Sequence, residues 1–248
     1  MYYWQSKGLE KHNAPIASLQ EAYRAVSREI SPCVVIGNWA LRLSLFDNAS
    51  WDTSFIELAL VRRPKEQKLK NMGKGFAVLK EIEYTSCGAC KFVLSKQERG
   101  YEIPLVLKYD TQGKKYMHGI PSQYTYLNSI EMELPAVRIA NKKVALSYEL
   151  LAARDARLEG DILMENAHTY NAYRILGGLY GFDAKEFIAG LSLKQAKPVR
   201  HMGILRASDD LPEAVVNSIK SEALRLESLI RREGRLEPPG HSASNKLE

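Results

Sequence analysis

Residues 33–60, CVVIGNWALRLSLFDNASWDTSFIELAL, decide how the rest of the chain is read. Cys33, Val34, Val35 and Ile36 make a short apolar strand, Gly37 a turn, and residues 38–46 a helix with Trp39, Leu43 and Phe46 on one face. After a polar loop, residues 54–61 form a second apolar strand that carries one acid, Glu57. This order suits the presentation of a polyphosphate to a metal. Glycine lets the backbone approach a phosphate, the helix N-terminus offers free N–H groups, and acids on the next strand hold a cation.

Working outward, residues 18–30 place Leu19, Ala22, Tyr23, Val26 and Ile30 at helical spacing, with Ser18 and Glu21 as a capping box and Pro32 as the stop. Residues 1–14 read as an arm with aromatic anchors Tyr2, Tyr3 and Trp4. Residues 64–80 are basic and contain Gly73 and Gly75, which predicts a surface loop or short helix. Residues 91–96 and 101–109 predict a hairpin turning at Glu98, Arg99 and Gly100, with Asp110 closing its second strand. Further strands are expected over 124–132 and 135–140.

From Leu146 the pattern turns helical. Ser147 is the expected cap of a long helix burying Leu150, Leu151, Leu158, Ile162 and Leu163, with Gly160 as a break. A second helix runs to Gly181, a third starts at the cap pair Asp183 and Glu186, residues 198–210 link, and 211–233 form a strongly amphipathic helix. The expected fold is therefore α+β, a mixed sheet with flanking helices in residues 1–140, a helical part over 141–235 and a disordered tail over 236–248.

The 248 residues are 45% hydrophobic and 26% charged, an ordinary globular composition. A formal charge of +6 leans towards anionic partners. No run of eighteen apolar residues and no signal-peptide pattern is present, so no membrane is expected and the cytoplasm is the default location. Three cysteines are too few for a disulfide scaffold: Cys33 reads as a buried hydrophobe, and Cys87 and Cys90 as a turn or local disulfide lacking the second half of a zinc site.

The stretch from Ile36 to Leu43, followed by Thr53, Ser54, Phe55, Ile56, Glu57 and Leu58, resembles the signature of the nucleotidyltransferase superfamily. It is most similar to the AbiEii-like branch, which includes toxins of type IV toxin–antitoxin systems. The resemblance implies a nucleotidyltransferase-like fold and transfer of a nucleotide from a nucleoside triphosphate, with Mg2+, to an RNA or protein acceptor. A cognate antitoxin-like protein is the implied partner. Position by position, Gly37 matches the first glycine of the phosphate cradle, Asn38 replaces its small second residue, and Thr53 matches the hydroxyl position. Phe55 stands where the first metal-binding aspartate belongs, and Glu57 where the second belongs.

Asp110 is the expected third acid and metal ligand, and Arg154, near a position the family often fills with lysine, the expected neutraliser of developing charge. Asp52 substitutes for a missing acid only with a register shift. The basic residues from Arg62 to Lys80, with Lys108, Lys114 and Lys115, are candidates for an RNA backbone. Phenylalanine offers magnesium no oxygen, so the alternative expectation is a catalytically inactive binding or interaction module on the same fold.

Overall fold

The computed structural model describes residues 16–45, 53–70, 76–84, 89–98, 101–110, 117–133, 135–191 and 211–236. Seven strands form one mixed sheet: β1 (Cys33–Ile36), β2 (Ile56–Leu60), β3 (Phe76–Tyr84), β4 (Ala89–Glu98), β5 (Tyr101–Asp110), β6 (Ser129–Met132) and β7 (Val137–Ala140). Their order is β3-β4-β5-β2-β1-β7-β6. β1 and β2 are central and wholly buried, which is why they read as apolar runs, broken only by Glu57. β1 pairs antiparallel with β2 and parallel with β7, and β2 pairs parallel with β5. β3, β4 and β5 continue the sheet as an antiparallel meander.

The eight helices among the described residues are α1 (Ile16–Glu29), α2 (Gly37–Leu45), α3 (Glu66–Lys70), α4 (Ser122–Leu127), α5 (Lys142–Leu158), α6 (Ile162–Tyr180), α7 (Ala184–Leu191) and α8 (Glu213–Glu233). Strand alternation sorts the two sheet faces. Cys33, Leu58 and Leu60 share the face covered by α1, where the Ser27 hydroxyl lies 3.1 Å from Cys33 Sγ. Burial pushes the Cys33 thiol up to about 12, so it serves as a small hydrophobe. The other face carries Glu57, Ala59, Val106 and Lys108 and receives α5. One apolar core runs without a break from Leu19 on α1 through the central strands to Leu146 on α5, Phe187 on α7 and Leu226 on α8.

The fold is thus the expected α+β arrangement, with a mixed sheet, flanking helices and a helical C-terminal part. Four local expectations are corrected. Residues 76–80 are not loop but the start of β3, whose pairing with β4 outweighs the lysines around it. Residues 124–127 belong to α4 rather than a strand: Pro121 precedes the first turn and the Asp110 carboxylate accepts from Ser122 N at 3.1 Å, a cap that overrides the β preference of Tyr and Thr. Asn141, not Ser147, caps α5 by accepting from Val144 N, while the Ser147 hydroxyl donates to Lys143 O inside the helix. Leu158, Ile162 and Leu163 face solvent instead of the core, because the turn at Gly160 (φ +74) carries them past the packed part of α5 and α6. The arm, the linker over 198–210 and residues 237–248 of the tail lie outside the described residues.

A charged network ties α8 to the helices before it. Glu222 accepts from Arg157 at 2.5 and 3.0 Å and from Arg225 at 3.0 Å, and Arg225 also donates to Glu165 at 2.8 Å. Burial alone would raise the Glu222 carboxyl, but the two guanidinium groups outweigh it and hold it below the usual range. No helix among the described residues is long and apolar enough to cross a membrane.

Candidate functional site

Gly37 stands at the corner where β1 passes into α2, with φ +64, the left-handed region that disfavours a side chain. Its strand neighbour Ile36 pairs with Glu57, so the Glu57 side chain rises on the same face beside the corner. A Cβ placed on Gly37 would run into Glu57 Oε2 and lie 3.0 Å from its Cδ. The carboxylate therefore occupies the space that the missing side chain leaves. Glu57 thus lies against Gly37.

The carboxylate is not alone there. Lys108 Nζ lies 2.5 Å from Glu57 Oε1, and both side chains are about nine-tenths buried (11% and 8% exposed). The register explains this, because Glu57 pairs with Val106 and Ala59 with Lys108, which makes Lys108 the diagonal neighbour of Glu57 on one face. The ammonium also sits 5.5 Å from the centre of the Tyr148 ring on α5. Lys108, expected on a solvated basic surface, is instead the internal counter-ion of the corner.

Asp110 is not brought to Glu57. It lies four residues beyond Val106, roughly 13 Å along the strand at the usual rise, and its carboxylate caps α4. Arg154 is likewise engaged elsewhere, donating to Asp155 Oδ1 from Nε at 2.8 Å and from its terminal nitrogen at 2.6 Å. Thr53 is fully buried, and its hydroxyl accepts from Arg42 at 3.2 Å. Arg42 in turn lies over the Trp39 ring, 5.4 Å from its centre. Asn38 is half-buried in the first turn of α2, beside Gly37. Phe55 is half-buried one residue before β2. Asp52, Cys87, Lys114 and Lys115 lie outside the described residues.

These residues do not fit a resident two-ion magnesium site. Such a site needs several oxygen ligands per ion, whereas among the described residues the corner offers one carboxylate, already paired with an ammonium. Among the described residues no three His, Cys, Asp or Glu side chains are grouped to hold an ion.

Beyond Tyr148 lies a histidine that sequence reasoning passed over. The His118 ring is 5.4 Å from the Tyr148 ring, and its Nδ1 lies 2.6 Å from Asp155 Oδ2. Burial depresses the His118 pKa against the opposing pull of Asp155. Burial would raise Asp155, but His118 and Arg154 outweigh it and keep this carboxyl below the ordinary range. The sequence held two signals: a His-Gly pair at a turn, and an Arg-Asp pair on the long helix. Neither points at the other until α5 is laid on the sheet.

The shifts at His118, Asp155 and Glu222 share one sign. Each folded pKa lies below its unfolded value, so the unfolded chain binds more protons as the solution is acidified. Stability is expected to be flat above the ordinary histidine pKa near 6.5, to fall as His118 is forced to protonate, and to fall again through the carboxylate range. Urea midpoints measured from pH 8 to 4 check this; a midpoint unchanged between pH 7 and 5 contradicts the histidine part.

Comparison with known proteins adds little. The chain matches no family model and no curated protein. A crystal structure of JHP933 from Helicobacter pylori aligns with 90% of this chain and 97% of its own at 14% identity and a TM-score of 0.37, too weak a likeness to carry an argument.

Proposed function

We propose that this chain is a nucleotidyltransferase-fold protein that seats a nucleoside triphosphate at the Gly37 corner and passes its nucleotide to a hydroxyl on RNA or protein. The supporting observation is the contact between Glu57 and Gly37, which aims the one acid of β2 at the backbone corner suited to a phosphate. Gly37 lets the phosphate approach, and the Asn38 N–H at the start of α2 faces it. Lys108 exchanges Glu57 for a phosphate oxygen when the triphosphate arrives, and so does the charge-neutralising work expected of Arg154. Magnesium, where it takes part, comes as the counter-ion of the triphosphate and not from a protein cage.

Incubation with each α-labelled nucleoside triphosphate, magnesium and total RNA or protein is the test. Label is expected in one acceptor class, with a loss of at least tenfold in Lys108→Met. No transfer with any nucleotide removes the proposal.

A second reading, the same fold as a catalytically inactive binding or interaction module, is supported by the ammonium of Lys108 standing where a metal ligand set would need a cation. Calorimetry separates the two. A module of this kind binds nucleotide equally with magnesium or with chelator and transfers nothing, or binds only an antitoxin-like partner protein recovered by co-purification.

A further inference from the structure

His118 and Asp155 form a second polar pair beside Tyr148. Asp155 is ionised and held from its other oxygen by the Arg154 fork, so Nδ1 of His118 carries the hydrogen and donates to Oδ2. That tautomer leaves Nε2 with a lone pair, and no hydrogen bond from Nε2 is found among the described residues. The His118 side chain is 20% exposed.

The backbone is unusual as well. His118 has φ +58, in the left-handed region that disfavours a side chain, and Gly119 follows at φ +103, which suits a glycine. The charged and titratable groups around the ring are Asp155, Arg154, Lys108 and His168, the last tied to Glu149 at 2.7 Å. Tyr148 links this pair to the corner: its ring has Lys108 Nζ 5.5 Å from its centre and the His118 ring 5.4 Å from it.

In two-ion transfer one metal activates the attacking hydroxyl. Transfer to a hydroxyl needs a group that takes its proton, and the His118 imidazole stands one ring away from Lys108, across Tyr148. We propose that His118, oriented by Asp155, is the general base that activates the acceptor hydroxyl; this rests on the nucleotidyl-transfer reading.

The acceptor is a hydroxyl-bearing group, as in a ribose terminus or a Ser, Thr or Tyr side chain. Its O–H proton passes to Nε2 as its oxygen bonds to the α-phosphorus. The bond from that phosphorus to the bridging oxygen breaks, and pyrophosphate leaves with the electron pair. The resulting imidazolium is stabilised by Asp155.

The test uses the full chain and labelled triphosphate. His118→Gly suits the left-handed backbone and opens a slot for a free base. Transfer is expected to fall about 10²- to 10⁴-fold, with KM for the triphosphate changed less than about threefold, and added imidazole is expected to restore a pH-dependent part of the rate. Asp155→Asn is expected to lower kcat while the protein stays folded. Unchanged transfer in folded His118→Gly, or a loss that imidazole does not relieve, overturns the assignment while leaving the nucleotidyl-transfer reading intact; absence of transfer in the wild type removes both. Should His118→Gly not fold, carbethoxylation of the native protein decides: modification of His118, located by mass spectrometry, is expected to abolish transfer and to be slowed by bound triphosphate. Full activity of the modified protein overturns the proposal.

Discussion

Gly37→Ala is expected to destabilise the protein by roughly 2–5 kcal/mol, the sum of two separable penalties. The first is conformational: alanine at φ +64 costs about 1–2 kcal/mol. The second is steric and electrostatic, because the new methyl group lands on Glu57 Oε2, and that carboxylate is pinned by Lys108 and by burial. Gly181→Ala supplies the control. Gly181 has φ +51 at the end of α6 with nothing within 4 Å of a built Cβ, so only the conformational part applies there. The difference between the two variants, read from urea midpoints at unchanged slope, isolates the collision. Equal shifts at the two sites would mean that Glu57 does not lie against Gly37, and the corner would lose its acid. On the proposed reading, nucleotide binding is expected to fail in Gly37→Ala even where the protein remains folded, since the methyl group leaves Glu57 no room to give way to a phosphate at this corner.

How much of this was legible in the sequence depends on which interaction each residue answers to. β1 and β2 were plain because central strands buried on both faces must be continuously apolar, which also made Glu57 conspicuous. Gly37 was legible because a strand-to-helix corner with a left-handed residue wants glycine. The choice between Lys108 and Asp110 was not legible. Both lie on the face of Glu57 by the period of two, and nothing within β5 says how far it slides along β2. The register sets Lys108 diagonal to Glu57 and sends Asp110 to the cap of α4. His118 was hidden for a different reason. Its partner Asp155 is 37 residues away, and only the packing of α5 on the sheet joins them. Leu158, Ile162 and Leu163 misled because periodicity marks a helical face without marking where its neighbour ends.

Glu57→Ala is expected to cost about 3–5 kcal/mol, because removing one member leaves a buried ammonium without its counter-charge. Lys108→Met is expected to be costly for the same reason, with the carboxylate as the orphan. The double variant Glu57→Leu with Lys108→Met behaves differently: two apolar side chains of similar volume remove both desolvation penalties, and its stability is expected to equal or exceed the wild type by up to about 4 kcal/mol. The cycle of four proteins thus gives a coupling of several kcal/mol, nearly independent of salt, since a pair buried this deeply is little screened. Costs that simply add would show that the two charges are solvated separately and that no ion pair closes the corner. Function supplies the other half of the argument. An ion pair that hydrophobic residues replace without loss of stability is not kept for folding, so the double variant is expected to be stable yet unable to bind a nucleoside triphosphate. A stable double variant that still binds nucleotide with wild-type affinity would contradict the proposed phosphate seat at Gly37.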